Sequence, residues 1–282
     1  MSDLNVSALA AVEPRLPVAA RPAGDLPAGS PAGDLARLAA RVRGVPLAEL
    51  RLLADDDAPA PDPDVALLAL AALDAVDQPA DDEPLFLVRS GPLRDQRVAE
   101  LGRIVHASGW RGEDLGVTHL DELGGALVLG LLGWALDTRA TVLLPDDPPL
   151  LGRDELAPPR AVALRVRRGP GPLRVLGCAE GRPPMAGDRA FTGSRPCDAW
   201  LALAVALDAG TVEPGERLLL HTVGPHREGW LELTAADPAA VRVARPAATL
   251  AAAPVADAPV GGAPNGGPVG GTPVAEPVGG TP

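Results

Sequence analysis

The chain has 282 residues, which is enough for one large domain or two small ones with a substantial core. Acidic residues outnumber basic ones by 37 to 25, and the resulting net charge of −12 disfavours nucleic acid and anionic membrane surfaces as partners. Two cysteines without CxxC spacing exclude a disulfide framework and give no zinc or redox motif. We therefore expect a protein of the reducing cytoplasm.

Membrane insertion is not expected either. The first residues lack a basic region ahead of an apolar stretch, so they do not resemble a secretory signal. The longest apolar run covers 123–136 and contains four glycines. It is shorter than the ~20 residues of a membrane span, so it predicts a buried helix.

The N-terminal part of the chain alternates between strand and helix patterns. A first strand is expected over 5–12, within a segment that ends at residue 14, and a Pro/Gly/Ala-rich linker follows over 15–33. Spaced apolar residues predict helices over 34–42, 47–53, 64–76 and 93–107, with Asp34 as the N-cap of the first. The compact apolar segment Leu85–Val88 predicts a buried strand between the last two helices.

The C-terminal part continues this alternation. Apolar segments predict strands at 141–144, 161–166, 173–178, 218–223 and 230–233, and helices at 121–137 and 197–209. Pro-Val-Gly-Gly then recurs at Pro259, Pro268 and Pro277, and this composition predicts a disordered tail over 241–282. Together these patterns are typical of an α/β fold.

Residues 6–14 resemble the opening strand of the β-ketoacyl synthases, which reads V-T-G-L-G-V-V-S-P, with Ala8 and Ala10 in place of glycines. The helix at 123–136 with the strand Ala-Thr-Val-Leu-Leu at 140–144 resembles the helix of that family that bears the nucleophile and the strand after it. Residues 161–166 and 173–181 resemble the strand that closes the first half and the strand that opens the second. The resemblance implies a thiolase-like, layered α/β/α fold, with a first half over 34–168 and a reduced second half over 169–240.

The same resemblance implies where catalytic groups belong. Ketosynthases need a cysteine thiolate at a helix N-terminus and two histidines. The position of that cysteine falls in a segment with none, at His119, Leu120, Asp121 and Glu122, and no histidine lies between Gly181 and Cys197. The resemblance therefore implies that the chain does not condense acyl groups by the usual mechanism.

Other candidate groups have simpler structural explanations. Cys197 precedes a helix and is a weak nucleophile candidate, although free cysteines are commonly buried. His221 and His226 bracket a turn and are a candidate acid-base or metal pair, although one strand histidine and one loop histidine are the simpler explanation. His119 with Asp121 and Glu122 is expected to cap the following helix, and the glycines of that helix are expected to allow close packing.

Three functions follow from these observations. The first is a ketosynthase-like accessory subunit of fatty-acid or polyketide biosynthesis, acting as a homo- or heterodimer with a condensing enzyme or with an acyl carrier protein. The second is a fragment of an acyl-adenylate-forming domain, because residues 123–144 also resemble a helix and strand of that family. The third is a small acyl-thioester enzyme that uses Cys197 or the His221 and His226 pair. None of them calls for a cofactor or a metal.

Overall fold

A computed structural model describes residues 3–13, 19–26, 29–44, 46–54, 64–89, 99–146, 159–184 and 186–246. Its α-helices are α1 (Pro31–Arg43), α2 (Val65–Val76), α3 (Glu100–Ser108), α4 (Gly124–Ala135) and α5 (Asp198–Asp208). Its strands are β1 (Leu4–Val12), β2 (Ala19–Pro22), β3 (Arg51–Ala54), β4 (Leu85–Val88), β5 (Asp114–Val117), β6 (Arg139–Asp146), β7 (Arg160–Arg168), β8 (Leu173–Glu180), β9 (Arg189–Gly193), β10 (Arg217–Val223), β11 (Glu228–Ala235) and β12 (Arg242–Ala244). The predicted α/β alternation is confirmed.

One large mixed sheet runs in the order β5-β4-β6-β7-β1-β8-β11-β10-β9, and β12 pairs with β1 beside β8. The strands β4, β5 and β6 are parallel to one another, whereas β7 is antiparallel to both β6 and β1. Only Asn5 and Val6 of β1 pair with β8, so the sheet divides at β1 into a first half and a second half.

The burial patterns of the strands indicate that helices cover both faces of the first half-sheet but one face of the second. β1, β6 and β7 are buried along nearly their whole length, as expected of strands covered on both faces. β11 instead alternates between half-buried and buried residues, which is typical of a strand with one open face. The first half is thus the middle of an α/β/α arrangement, and the second half has helices of the described chain on one face.

Two apolar clusters form the core. One lies between α2, α3 and the outer face of the first half-sheet. The larger cluster contains α4 and α5 together with the inner faces of both half-sheets. The two central helices therefore lie between the halves, and both halves share one core.

A small substructure follows β1. It consists of the antiparallel pair of strands β2 and β3, α1 and two 3₁₀ turns around a core of Ala23, Ala36, Ala40 and Leu50. The residue that caps α1 is Ser30, whose Oγ accepts the Gly33 N–H at 3.1 Å, and the expected cap Asp34 lies in the first turn instead. The expected helix over 47–53 is wrong, because it is a 3₁₀ turn over Leu47–Glu49 followed by β3.

A buried ion-pair network fastens α2 to the first half-sheet. Arg165 of β7 is fully buried, and its guanidinium donates to Glu83 Oε1 at 2.9 Å and to Asp74 Oδ1 at 2.8 Å. Glu83 also accepts the hydroxyl of Thr141 at 2.7 Å. Burial raises the pKa of Asp74, and its bond to Arg165 opposes that rise. Removing Arg165 would leave the buried Glu83 carboxylate with the more distant Arg139 guanidinium, at 3.5 Å, to compensate its charge.

Several expectations fall partly outside the described residues. These include the start of the helix expected over 93–107 and most of the tail expected over 241–282. Within that last range the structure places β12, so the ordered chain continues past residue 240. Across the described segments, no helix is both long and apolar enough to cross a membrane.

Candidate functional site

The segment before α4 has an unusual backbone. His119 and Asp121 have φ angles of 65° and 46°, in the left-handed region that side chains other than glycine rarely adopt. A 3₁₀ turn over Asp121–Leu123 then leads directly into α4. Strained residues of this kind concentrate at functional positions and are held there by surrounding contacts. The predicted nucleophile position therefore coincides with the strained entrance to the central helix.

The contacts of this segment are made across the fold and do not cap the helix. Neither the 3₁₀ turn nor α4 has a side-chain cap, so the expected capping role of His119, Asp121 and Glu122 is wrong. Glu122 Oε1 instead accepts the backbone N–H of Arg227 at 3.1 Å. Gly224 lies so close to the Glu122 side chain that a Cβ there would overlap it. The β10–β11 hairpin loop thus packs directly onto the entrance to α4.

Arg227 of that hairpin ties three segments together. Its guanidinium makes two bonds to the carboxylate of Glu180, at 2.9 and 2.8 Å, and donates to the carbonyl of His119 at 3.3 Å. The hydrogen bond to Arg227 lowers the pKa of Glu180, and the same bond raises the pKa of Arg227. Both side chains are exposed to solvent, so the network is a surface one and contributes little to stability.

The two histidines of the hairpin lie in different environments. His221 Nε2 lies 2.9 Å from Glu228 Oε1, and both side chains are partly buried. His226 is exposed at the hairpin turn. The structure therefore brings two predicted regions together. One is the segment His119, Leu120, Asp121 and Glu122, and the other is the hairpin that carries His221 and His226. Among the residues described, no group of three or more His, Cys, Asp or Glu is arranged to hold a metal ion.

Cys197 is buried at the N-terminus of α5. Its Sγ donates to the carbonyl of Leu144 at 3.2 Å. Burial, reinforced by the nearby Asp146 carboxylate, raises the pKa of this thiol well above its usual value. Cys178 is half-buried, and burial raises its pKa as well. Because the thiolate is the nucleophilic form, neither cysteine is activated.

A second polar cluster at the start of α5 was not predicted. Arg195 binds Asp146, the last residue of β6, through a carboxylate oxygen at 2.9 Å and the backbone carbonyl at 2.9 Å. Burial raises the pKa of Asp146 to about 6, against the opposing effect of Arg195. Asp198 accepts the N–H groups of Ser194 and Arg195, each at 3.0 Å. Asp198, the first residue of α5, therefore fixes the loop that leads into this helix.

The starts of α4 and α5 are in contact. Trp200 Nε1 donates to the Gly125 carbonyl at 2.9 Å, and a Cβ on Gly125 would overlap the Pro196 carbonyl. A Cβ on Gly130 would lie 2.7 Å from Cys178 Sγ. The glycines of α4 thus permit close helix packing, as the sequence predicts.

Two solved proteins, OleA and ChlB3, are similar in structure to this chain. OleA of Xanthomonas campestris aligns over 82% of this chain and 98% of its own, with 11% identity and a TM-score of 0.53. ChlB3, described as an acyltransferase, aligns over 84% of this chain and 99% of its own, with 14% identity and a TM-score of 0.57. A variant of OleA with lauric acid and lauroyl-CoA bound gives a TM-score of 0.54 at 12% identity. No protein-family model and no curated protein sequence matches the chain.

The chain has a thiolase-like fold. This result confirms the expected fold class, and at 10 to 14% identity it concerns the fold alone. An acyl-adenylate-forming fragment finds no support among these similar structures, which share a thiolase-like fold.

Proposed function

We propose that this chain is a ketosynthase-like subunit of fatty-acid or polyketide biosynthesis that pairs with a condensing enzyme or an acyl carrier protein without condensing acyl groups itself. The fold is that of ketosynthase-like proteins. The proposal rests on what occupies the position where such a fold would carry its nucleophile.

The entrance to α4 is the observation that carries this proposal. Helix N-termini lower the pKa of a thiol placed there, which is how this position activates a cysteine. Here the segment has no thiol, and Glu122 is held against Gly224 and the Arg227 N–H. Cys197, the nearest thiol at a helix start, is buried with a raised pKa. The arrangement favours a rigid structural role over acyl transfer.

Exposed apolar residues on α4 support pairing. Six of the twelve residues of this helix are buried, yet Trp134 is 93% exposed and Leu131, one turn earlier on the same face, is 47% exposed. A large exposed aromatic next to a leucine is the kind of residue that anchors protein interfaces. We infer that Leu131 and Trp134 contact the partner subunit.

Two measurements test the proposal. The purified chain is first mixed with lauroyl-CoA and examined by intact-mass spectrometry, and we expect no covalent acyl adduct. Binding to a condensing enzyme and to an acyl carrier protein from the same organism is then measured by analytical ultracentrifugation. We expect a complex with one of them, weakened at least tenfold by Trp134→Ala.

The controls separate the two parts of the proposal. Iodoacetamide should label Cys197 only after unfolding, because burial protects the thiol. Val223→Ala, at an exposed apolar residue on the hairpin strand β10, should leave partner binding unchanged. An acyl adduct on Cys197 would favour the small acyl-thioester enzyme instead. Absence of binding to either partner would reject the accessory role.

A further inference from the structure

Helix α1 carries its largest apolar side chains on the outside. Leu35, Leu38 and Val42 are 67%, 58% and 69% exposed, whereas the side facing the small core presents Ala36 and Ala40. These three residues, named here the α1 stripe, are spaced i, i+3 and i+7, so they form one continuous line on the helix surface. An isolated helix would gain nothing from this arrangement in water.

The charged residues beside the stripe favour one specific arrangement of two paired helices. In a heptad that places Leu35 and Val42 at position a and Leu38 at position d, Asp34 and Arg41 both fall at position g. Both are exposed, and both lie on the same side of the stripe. In an antiparallel helix pair each g position faces the g positions of the other helix. Asp34 and Arg41 carry opposite charges and are seven residues apart. Each would therefore face the oppositely charged residue of the other helix.

We propose that α1 packs antiparallel against α1 of a second copy of this chain. The two-fold axis passes close to Leu38, so the two Leu38 side chains meet at the centre and Leu35 of each copy lies against Val42 of the other. Asp34 of each copy then pairs with Arg41 of the other, while the existing bond from Arg37 to Asp34, at 2.8 Å, is retained. The interface is isologous, with the same surface used twice.

The size of the surface sets the strength of the dimer. A 13-residue helix is about 20 Å long, so a single helix pair buries less than the ~800 Å² per partner of a standard interface. A groove of about 670 Å³ beside the stripe, lined by Leu38, Arg41, Pro46 and Leu47, gives room for side chains of the second copy. We expect a dimer that dissociates at roughly micromolar concentration.

Sedimentation equilibrium of the full chain across a concentration series tests this proposal. Leu38→Glu should raise the dimer dissociation constant by roughly 100-fold, because two leucines leave the centre of the interface at once. Leu115→Glu is the matched control, a leucine that is 42% exposed on the edge strand β5. It should leave self-association unchanged. Circular dichroism and thermal unfolding of each variant check that the fold is intact.

A chemical cross-link gives a second, independent readout. Leu38→Cys should form an intermolecular disulfide under mild oxidation, since the two-fold axis brings the pair together. Ala48→Cys, which is exposed in the same substructure away from the stripe, should not. A monomeric chain at every concentration, or a dimer that Leu38→Glu leaves intact, would overturn the proposal. Neither outcome bears on pairing with a condensing enzyme, which is measured separately through Trp134.

Discussion

Among single residues, Asp146 gives the clearest prediction about how pH affects the stability of the fold. It is buried at the end of β6, and burial outweighs its bond to Arg195, so its pKa rises from 3.8 to about 6. A carboxyl with a raised folded-state pKa favours folding while it is protonated. Its stabilising contribution is complete below pH 3.8 and is lost as the pH rises through 6. The ionised form therefore costs the fold roughly 3 kcal/mol.

Asp146→Asn should remove this pH dependence. For the natural chain we expect the free energy of unfolding to fall by roughly 1 kcal/mol between about pH 5 and pH 7.5, as the folded-state carboxyl ionises. The variant should show a flatter profile over the same range, since an amide does not titrate. Urea unfolding at several pH values measures both. Equal slopes in the two proteins would mean that Asp146 is ionised without cost in the folded state.

The sequence anticipates the candidate site only where a residue type carries its own chemical signal. His119, His221 and Cys197 could be singled out because histidine and cysteine are rare in this chain. Arg227 and Glu180 are 47 residues apart, and Arg195 and Asp146 are 49 apart. The sequence does not show which acidic residue each of its 25 arginines contacts, so these pairs could not be found before the fold was known.

At the scale of elements, the contact between α4 and α5 decides how the two halves meet. Pro196 lies against Gly125, and Trp200 bonds to the carbonyl of that glycine. Any side chain at this position would overlap backbone, which cannot move aside as a flexible side chain can. The absence of a side chain is therefore what lets the central helices approach.

Gly125→Ala should be strongly destabilising. The new methyl group must push the start of α5 away from α4, so we expect a loss of about 2–4 kcal/mol in the free energy of unfolding. Gly102→Ala in α3 is the matched control, since its Cβ would meet nothing closer than 3.9 Å. There the better helix propensity of alanine should add up to about 1 kcal/mol. Urea unfolding measures the free energy of unfolding of both variants. Similar changes at the two positions would contradict close helix contact at Gly125.

Elements were predictable where apolar periodicity was strong. The segments that form α2, α4, β4, β6 and β7 are continuous or regularly spaced apolar runs, and all were expected near their observed bounds. β5 and β9 were missed because they are short and largely polar or exposed, as in the Asp-Leu-Gly-Val of β5. β3 was expected as helix, since Leu47 to Leu53 has an ambiguous pattern and only its pairing with β2 makes it a strand.

At the scale of the molecule, the two halves share a single core. The larger apolar cluster includes strands of both half-sheets and both central helices. Separating the halves would expose the inner faces of β1, β6, β7, β10 and β11 together. The sequence indicates two halves through the order of elements, but it does not show that α4 and α5 lie between them. That arrangement depends on contacts between residues far apart in the chain.

A shared core predicts cooperative unfolding. Trp110 packs against the outer cluster of the first half and bonds to the Glu83 carbonyl at 2.9 Å, whereas Trp230 lies on β11 against Gly177. In protein labelled with 5-fluorotryptophan, ¹⁹F NMR should show the native signals of both disappearing at the same urea concentration. The exposed Trp134, identified by Trp134→Phe, is an internal reference for assignment. Loss of the Trp230 signal before that of Trp110 would show that the second half unfolds separately, and that α4 and α5 do not couple it to the first.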